Sequence, residues 1–253
     1  MNFLINLKKR NPILYWFGWF NFLVGLGCLA GMMVDDRQLL GVSRWLKPFK
    51  FYFSVGVLSW TLGWLMNYLG KPGRIKWYSL VISFSLFFEN GLILLQSARG
   101  TTSHFNNATA FDGIVFALMG LLILIFTITS MLILVDFFRR KDFGIQASYL
   151  WGIRLGLLFF IIFSIEGGMM LRNMGHTVGA PDGLPGIPLL NWSKSHGDLR
   201  VAHFLGIHAL QILPLAGFYL AKTKWQIIGM GGFYFLVVSW VFIRAMNGIP
   251  FFV

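Results

Sequence analysis

Charge is scarce in this chain. Only 12% of its residues are Asp, Glu, Lys or Arg, against about 25% in ordinary soluble domains, and just 9 of the 253 are acidic. With 57% hydrophobic residues, a soluble core of this size cannot absorb the apolar surface, which excludes a soluble globular enzyme. The same balance excludes a disordered chain, which needs low hydrophobicity and high charge. Cysteine is almost absent. Cys28 stands alone, so there is no disulfide framework and no Cys-based zinc or iron–sulfur site. Eight prolines without a fixed repeat exclude a collagen-like fibre. Histidine numbers only 5, too few for the clusters of membrane desaturases. No nucleotide-binding motif is present, so no nucleotide cofactor and no ATP-driven work are expected.

What is there is length without charge. A bilayer core about 30 Å thick needs roughly 20 helical residues. Seven stretches qualify: residues 13–33, 51–68, 77–96, 113–135, 147–171, 201–221 and 225–243. They lack the alternation of barrel strands, and backbone polar groups cannot go unpaired in lipid, so each must be a helix. The expected fold is all-α, a seven-transmembrane-helix bundle forming one transmembrane domain over residues 1–253. The basic start, residues 1–10, lacks a convincing cleavage site after it, so the first span is read as an anchor and not as a signal sequence.

The net charge of +12 does not point to nucleic acid, because the basic residues sit in short loops between apolar spans. Lys8, Lys9, Arg10, Lys71, Arg74, Lys76, Arg139, Arg140, Lys141, Lys222 and Lys224 crowd into short segments on one side. Arg37, Arg44, Lys47, Lys50, Arg99, Arg172, Lys194, Arg200 and Arg244 are spread over longer loops on the other. Positive charge marks the cytoplasmic side. The N-terminus is therefore expected inside a plasma or inner membrane, the C-terminus outside, and the long loops outward. The longest, residues 172–200, holds Pro181, Pro185 and Pro188 with apolar Leu184, Ile187, Leu189, Leu190 and Trp192, and reads as an ordered cap.

Carboxylates inside spans are costly and functional by default, and two occur, Glu89 and Glu166. At about 1.5 Å per residue, both lie roughly 8 to 10 Å below the outer ends of their spans, and so does His208 in the sixth. At about 100° per residue, Arg200, His203, His208 and Gln211 share one side of that sixth span. Pro214 removes the donor for the Leu210 carbonyl. Gln96 lies on the Glu89 face, and Arg244 stands near the mouth with Arg99 and Arg172. Together, Glu89, Gln96, Glu166, Arg200, His203, His208, Gln211 and Arg244 form the expected ligand- or proton-binding set. Arg154 reads as a snorkelling residue, and the stretch from Gly229 to Gly232 as a close helix contact.

A weak duplication accompanies these residues. Glu89-Asn-Gly91-Leu-Ile-Leu94 reads against Glu166-Gly-Gly168-Met-Met-Leu171, and Asp112-x-x-Val115-x-x-x-Met119-Gly120-Leu121 against Asp198-x-x-Val201-x-x-x-Leu205-Gly206-Ile207. A parallel repeat of spans three and four as five and six would be of a kind known in transporters. Both aspartates also read as helix N-caps.

Two functional classes follow. The first is an outward-facing intramembrane pocket that binds and transports a small polar or anionic solute or protons. The second is a membrane enzyme acting on a lipid-like substrate or quinone, with zinc or iron held by Glu89, Glu166 and His208, joined by His203 or His104, or with haem. A retinal protein is excluded because no lysine lies between Trp225 and Ile243. His203 and His208 are spaced five apart, unlike the His-x-x-x-His of seven-helix zinc amidases. The loop charges predict that a reporter fused at Val253 is extracytoplasmic. Cytoplasmic reporter activity at that position would reverse the orientation.

Overall fold

The computed structural model describes residues 3–140 and 142–252; Lys141 of the basic set and Val253 lie outside them. The chain is all-helical apart from two short hairpins and divides into two compact units, Met1–Ile133 and Leu134–Val253.

The first unit contains α1 (Phe3–Arg10), α2 (Pro12–Val34), the hairpin of β1 (Gln38–Leu39) and β2 (Val42–Ser43), α3 (Leu46–Met66), α4 (Pro72–Arg99) and most of α5 (Ala110–Arg139). In the hairpin Gln38 pairs with Ser43 and Leu39 with Val42. Helix α2 begins where Asn11 accepts the Leu14 N–H at 3.0 Å and Pro12 supplies a fixed φ. Its tightest partner is α3. The contact is a set of glycine notches filled by rings: Trp60 sits on Gly18, Phe22 on Gly56 and Trp45 on Gly31. Lipid tails are as apolar as the helices, so close approach at small residues supplies the packing that hydrophobic burial does not.

The second unit contains α6 (Ala147–Glu166), α7 (Gly168–Asn173), β3 (Thr177–Val178), β4 (Gly197–Asp198), α8 (Leu199–Ile207), α9 (Ala209–Tyr219) and α10 (Lys224–Met246). β3 and β4 pair antiparallel, Thr177 with Asp198 and Val178 with Gly197. α6 and α9 meet closely along Gly152, Gly156 and Gly217. A Cβ on Gly156 would lie 2.9 Å from the Ala209 carbonyl oxygen and 3.1 Å from Pro214 Cδ. α10 starts at a capping box in which Thr223 and Gln226 satisfy each other's backbone N–H groups.

Five helical stretches are long and apolar enough to cross a membrane, and a sixth is added if α8 and α9 count as one bent span. They fit a multi-pass membrane protein. The expected span at residues 51–68 falls largely within α3, 21 residues long, which is not among these candidates. It falls short in apolarity, because it begins five residues earlier than expected and so takes in Lys47, Pro48 and Lys50 before the serines and threonine of its later turns.

The sixth expected span is not continuous. His208 ends α8 and opens α9, with a bend of 41°. Its N–H bonds the Phe204 carbonyl at 3.2 Å, and its own carbonyl takes Gln211 N–H and Ile212 N–H at 3.0 Å. Pro214, without an N–H, stands six residues on. The fifth span also breaks, at Gly167.

The long loop of the second unit is ordered. Trp192 is buried, Ile187 and Leu190 pack with it against the core, and Gly186 bridges to Ser193, whereas Leu184 and Leu189 are exposed. The glycine notches yield a test. Gly152→Ala drives a methyl into the Leu213 carbonyl, and overpacking of this kind costs about 1–3 kcal/mol. Gly229→Ala meets nothing within 4 Å. In detergent melts, the first substitution lowers the unfolding midpoint and the second leaves it in place.

Candidate functional site

Glu89 lies on the buried stripe of α4, with Ser85 one turn before it and Asn90 beside it. It is only 2% exposed. Among the described residues, neither carboxyl oxygen has a hydrogen-bond partner, nor do Ser85 Oγ and Asn90 Oδ1. The Asn90 amide donates to Asn21 Oδ1 at 2.9 Å, tying α4 to α2. His104, from the loop after α4, brings its Nε2 to 3.9 Å from Glu89 Oε1, and Lys47 Nζ is 3.1 Å from His104 Nδ1. The sequence puts Lys47 among the basic residues of the longer loops and offers His104 only as an added metal ligand. Their meeting depends on a turn-rich segment whose path no periodicity reports.

Gln96, two turns above Glu89, belongs to a different network. It donates to Asp112 Oδ1 at 2.9 Å and accepts from Arg99 Nη1, which also reaches Asp112 at 2.6 Å. Thr109 donates to Asp112 Oδ2 at 2.7 Å and accepts the Asp112 N–H at 3.1 Å. Asp112 is thus not the N-cap of α5 but the inward member of a cap built with Thr109. This cluster fastens the end of α4 to the start of α5.

Glu166 closes α6 in the second unit. Its carboxyl oxygens also have no hydrogen-bond partner among the described residues. The imidazole that approaches it is His203, whose Nδ1 is 3.5 Å from Oε2 and 2.8 Å from the Phe163 carbonyl. A carbonyl only accepts, so Nδ1 carries the proton. Gly167 makes room for the ring, since a Cβ there would lie 2.9 Å from His203 Cε1. His208 instead pairs Nδ1 with Gln211 Oε1 at 3.1 Å and packs on Phe204. The sixth span's polar side chains thus have separate partners. The two remaining arginines are engaged locally. Arg200 binds Asp198 through Nε at 2.9 Å and Nη2 at 2.5 Å, and reaches the Asn191 carbonyl. Arg244 donates to the Pro250 carbonyl at 2.9 Å and stacks over Trp240.

The duplicated segments share residues but not backbone. α4 runs unbroken through Glu89, Asn90 and Gly91, while α6 stops at Glu166. Asp198 is the true N-cap of α8. α4 packs chiefly on α3 and α2, whereas α6 packs on α9, α8 and α10. Arg154 caps the end of α5, giving Nε and Nη2 to the Phe137 carbonyl at 3.0 and 2.9 Å.

No group of three or more His, Cys, Asp or Glu side chains that could hold a metal ion is gathered among the described residues. Two open depressions on the second unit, of about 310 and 280 Å³, are lined by loop residues such as Asn173, Thr177 and Asp182, and by Met169, Arg172 and Met246. Neither is lined by Glu166, His203 or His208.

Outside the spans, two aspartates organise loops. Asp35 accepts from Arg37, Trp45 and the buried Arg44, and the Arg37 pair first among these holds its carboxyl far below the ordinary value. Burial pushes Asp182 upward, but the His176 ring at 2.5 Å and the His176 and Thr177 amides at 3.0 to 3.1 Å outweigh it, so its carboxyl also lies well below the ordinary 3.8.

A carboxyl depressed in the folded loop stabilises it fully above the ordinary value and progressively less as pH falls below it. Hydrogen exchange at the Thr177 amide, corrected for intrinsic rate, should be protected at neutral pH and lose protection below about pH 4. Asp182→Asn should speed that exchange about tenfold at neutral pH; an unchanged rate would remove Asp182 as the organiser of the loop. Comparison of the chain with protein-family models, with curated proteins and with solved structures finds no match.

Proposed function

We propose that this chain is a multi-pass protein of a plasma or inner membrane that takes up and passes on protons, alone or with a small polar solute, at carboxylates held inside its helices. Seven spans with the N-terminus inside and the C-terminus outside complete the reading, with α3 counted as the second and the bent pair α8 and α9 as the sixth.

The observation that carries it is Glu89. A carboxyl group 2% exposed, with both oxygens lacking a hydrogen bond, is a poor structural tie. Buried charges that only fasten helices are paired. Left without a strong partner, such a group exchanges between charged and neutral forms as protons arrive, and this is the property a proton carrier needs. Glu166 supports the reading from the second unit, with one imidazole at its edge and, among the described residues, no arginine or lysine bound to it. Proton chemistry is favoured over anion binding because Arg200 is already neutralised by Asp198.

Reconstituted vesicles with an entrapped pH-sensitive dye test it. Wild-type protein should carry protons down an imposed gradient, and Glu89→Gln should reduce the rate at least tenfold (about 1.4 kcal/mol or more in barrier). Glu166→Gln should also slow it. Neither substitution should lower the unfolding midpoint, since an amide removes the cost of burying a charge. Wild-type vesicles no leakier than empty ones, or two glutamine variants that conduct normally, would refute the proposal.

A further inference from the structure

The buried carboxylate of the first unit is connected to that unit's surface by side chains from three different segments. Lys47 comes from the first turn of α3, His104 from the loop between α4 and α5, and Glu89 from the middle of α4. Exposure is graded along the series, from 25% for the His104 side chain to 2% for that of Glu89. The imidazole has a different neighbour at each nitrogen. Nδ1 faces Lys47 Nζ and Ser103 Oγ, both at 3.1 Å, and Nε2 faces Glu89 Oε1 at 3.9 Å.

Donor arithmetic fixes the direction. An ammonium only donates, so Nδ1 accepts from Lys47 and the proton of a neutral imidazole sits on Nε2, on the side of Glu89. The rings of Phe51, Phe105 and Phe116 stand around His104 with centroids 6.0 to 6.2 Å away, holding it in an apolar collar. Other charges are absent or engaged. α2 carries no Lys, Arg, Asp, Glu or His. α3 adds only Lys50 to Lys47, and Asp112 at the start of α5 is bound by Arg99, Gln96 and Thr109.

We propose that Lys47, His104 and Glu89 form a proton relay in which His104 is the carrier between Glu89 and water at the surface of the first unit. The inference rests on the reading of Glu89 as a proton site and names its entrance. In one passage, the Nε2–H bond breaks as an O–H bond forms on the Glu89 carboxylate. Nδ1 gains a proton as one N–H bond of the Lys47 ammonium breaks. The imidazole stays neutral and changes tautomer, the carboxylate becomes a carboxyl and the ammonium an amine, the amine regains its proton from hydronium at the surface, and the ring turns over to return its N–H to the Glu89 side. No electrons are transferred. The gap of 3.9 Å exceeds a hydrogen bond, so one water or a small rotation of either side chain closes it, and that closure is the gate.

The test follows the carboxyl infrared band of Glu89 in the full chain after a pH jump, the band being assigned by its loss in Glu89→Gln. His104→Gln should slow its appearance about 100-fold, in the range a positioned acid–base group supplies, while the final extent of protonation is kept. Added imidazole should restore the rate in His104→Ala, which a purely structural role for the ring would not allow. Lys47→Met should slow the band and Lys47→Arg less so, and these variants decide the matter if the histidine variants do not fold. An unchanged rate in His104→Gln, or in Lys47→Met where that variant must decide, overturns the relay. A spectrum in which no carboxyl band depends on Glu89 overturns the proton-site reading itself and the relay with it.

Discussion

Close helix approach at glycine is the constraint on which both units rest. Between apolar helices in lipid the hydrophobic drive is weak, and contact depends on how nearly two backbones can meet. In the first unit Gly18, Gly31 and Gly56 accept Trp60, Trp45 and Phe22, which lock α2 to α3. In the second, Gly152, Gly156 and Gly217 bring α6 onto α9 so closely that a backbone carbonyl stands where each side chain would be. Two of the polar groups discussed above lie on helices held by these contacts. Lys47 starts the helix that Phe22 and Trp60 hold, and Glu166 ends the helix that Gly152 and Gly156 anchor.

Against this frame six of the nine acidic residues fall into two kinds. Asp35, Asp112, Asp182 and Asp198 each accept from several donors, the first, second and fourth at the end or start of an element and Asp182 within a loop. They do the work of caps and loop organisers, and their arginines, Arg44, Arg99 and Arg200, are used up in doing it. Among the described residues Glu89 and Glu166 accept no hydrogen bond, and an imidazole stands at the margin of each. The contrast within one chain separates carboxylates bound in place from the two that the proposed function uses.

Much of this was legible in the sequence for a physical reason. Apolar length and the rarity of buried charge are properties of composition along the chain, so the helical class and most helix positions could be read directly, and Glu89 and Glu166 could be singled out as candidates. Features that depend on the third dimension could not. The α1 helix is short, and only Leu7 of it is buried, so it left no period to detect. Pro214 signalled a distortion, but the break falls at His208, six residues earlier. Arg200 and His203 lie on one helical face, yet Arg200 turns back to the aspartate two residues before it while His203 reaches a carbonyl forty residues away. The meeting of His104 with Glu89 needed the path of a loop, and loops of Gly, Thr, Ser and Asn carry no periodicity.

The joint at His208 makes a jointed rod of the sixth span. Its lower arm, α9, is clamped along α6 by three glycines, while the upper arm, α8, carries His203 five residues from the pivot. That distance is about 7 Å along the helix axis, so a change of 10° in the bend would carry the imidazole roughly 1 Å past Glu166. With Nδ1 now 3.5 Å from the carboxylate, a displacement of that size spans the difference between contact and separation. Flexure at one residue would thus be converted into the making or breaking of a single proton contact, a small lever built from a proline, a histidine and the absence of three side chains.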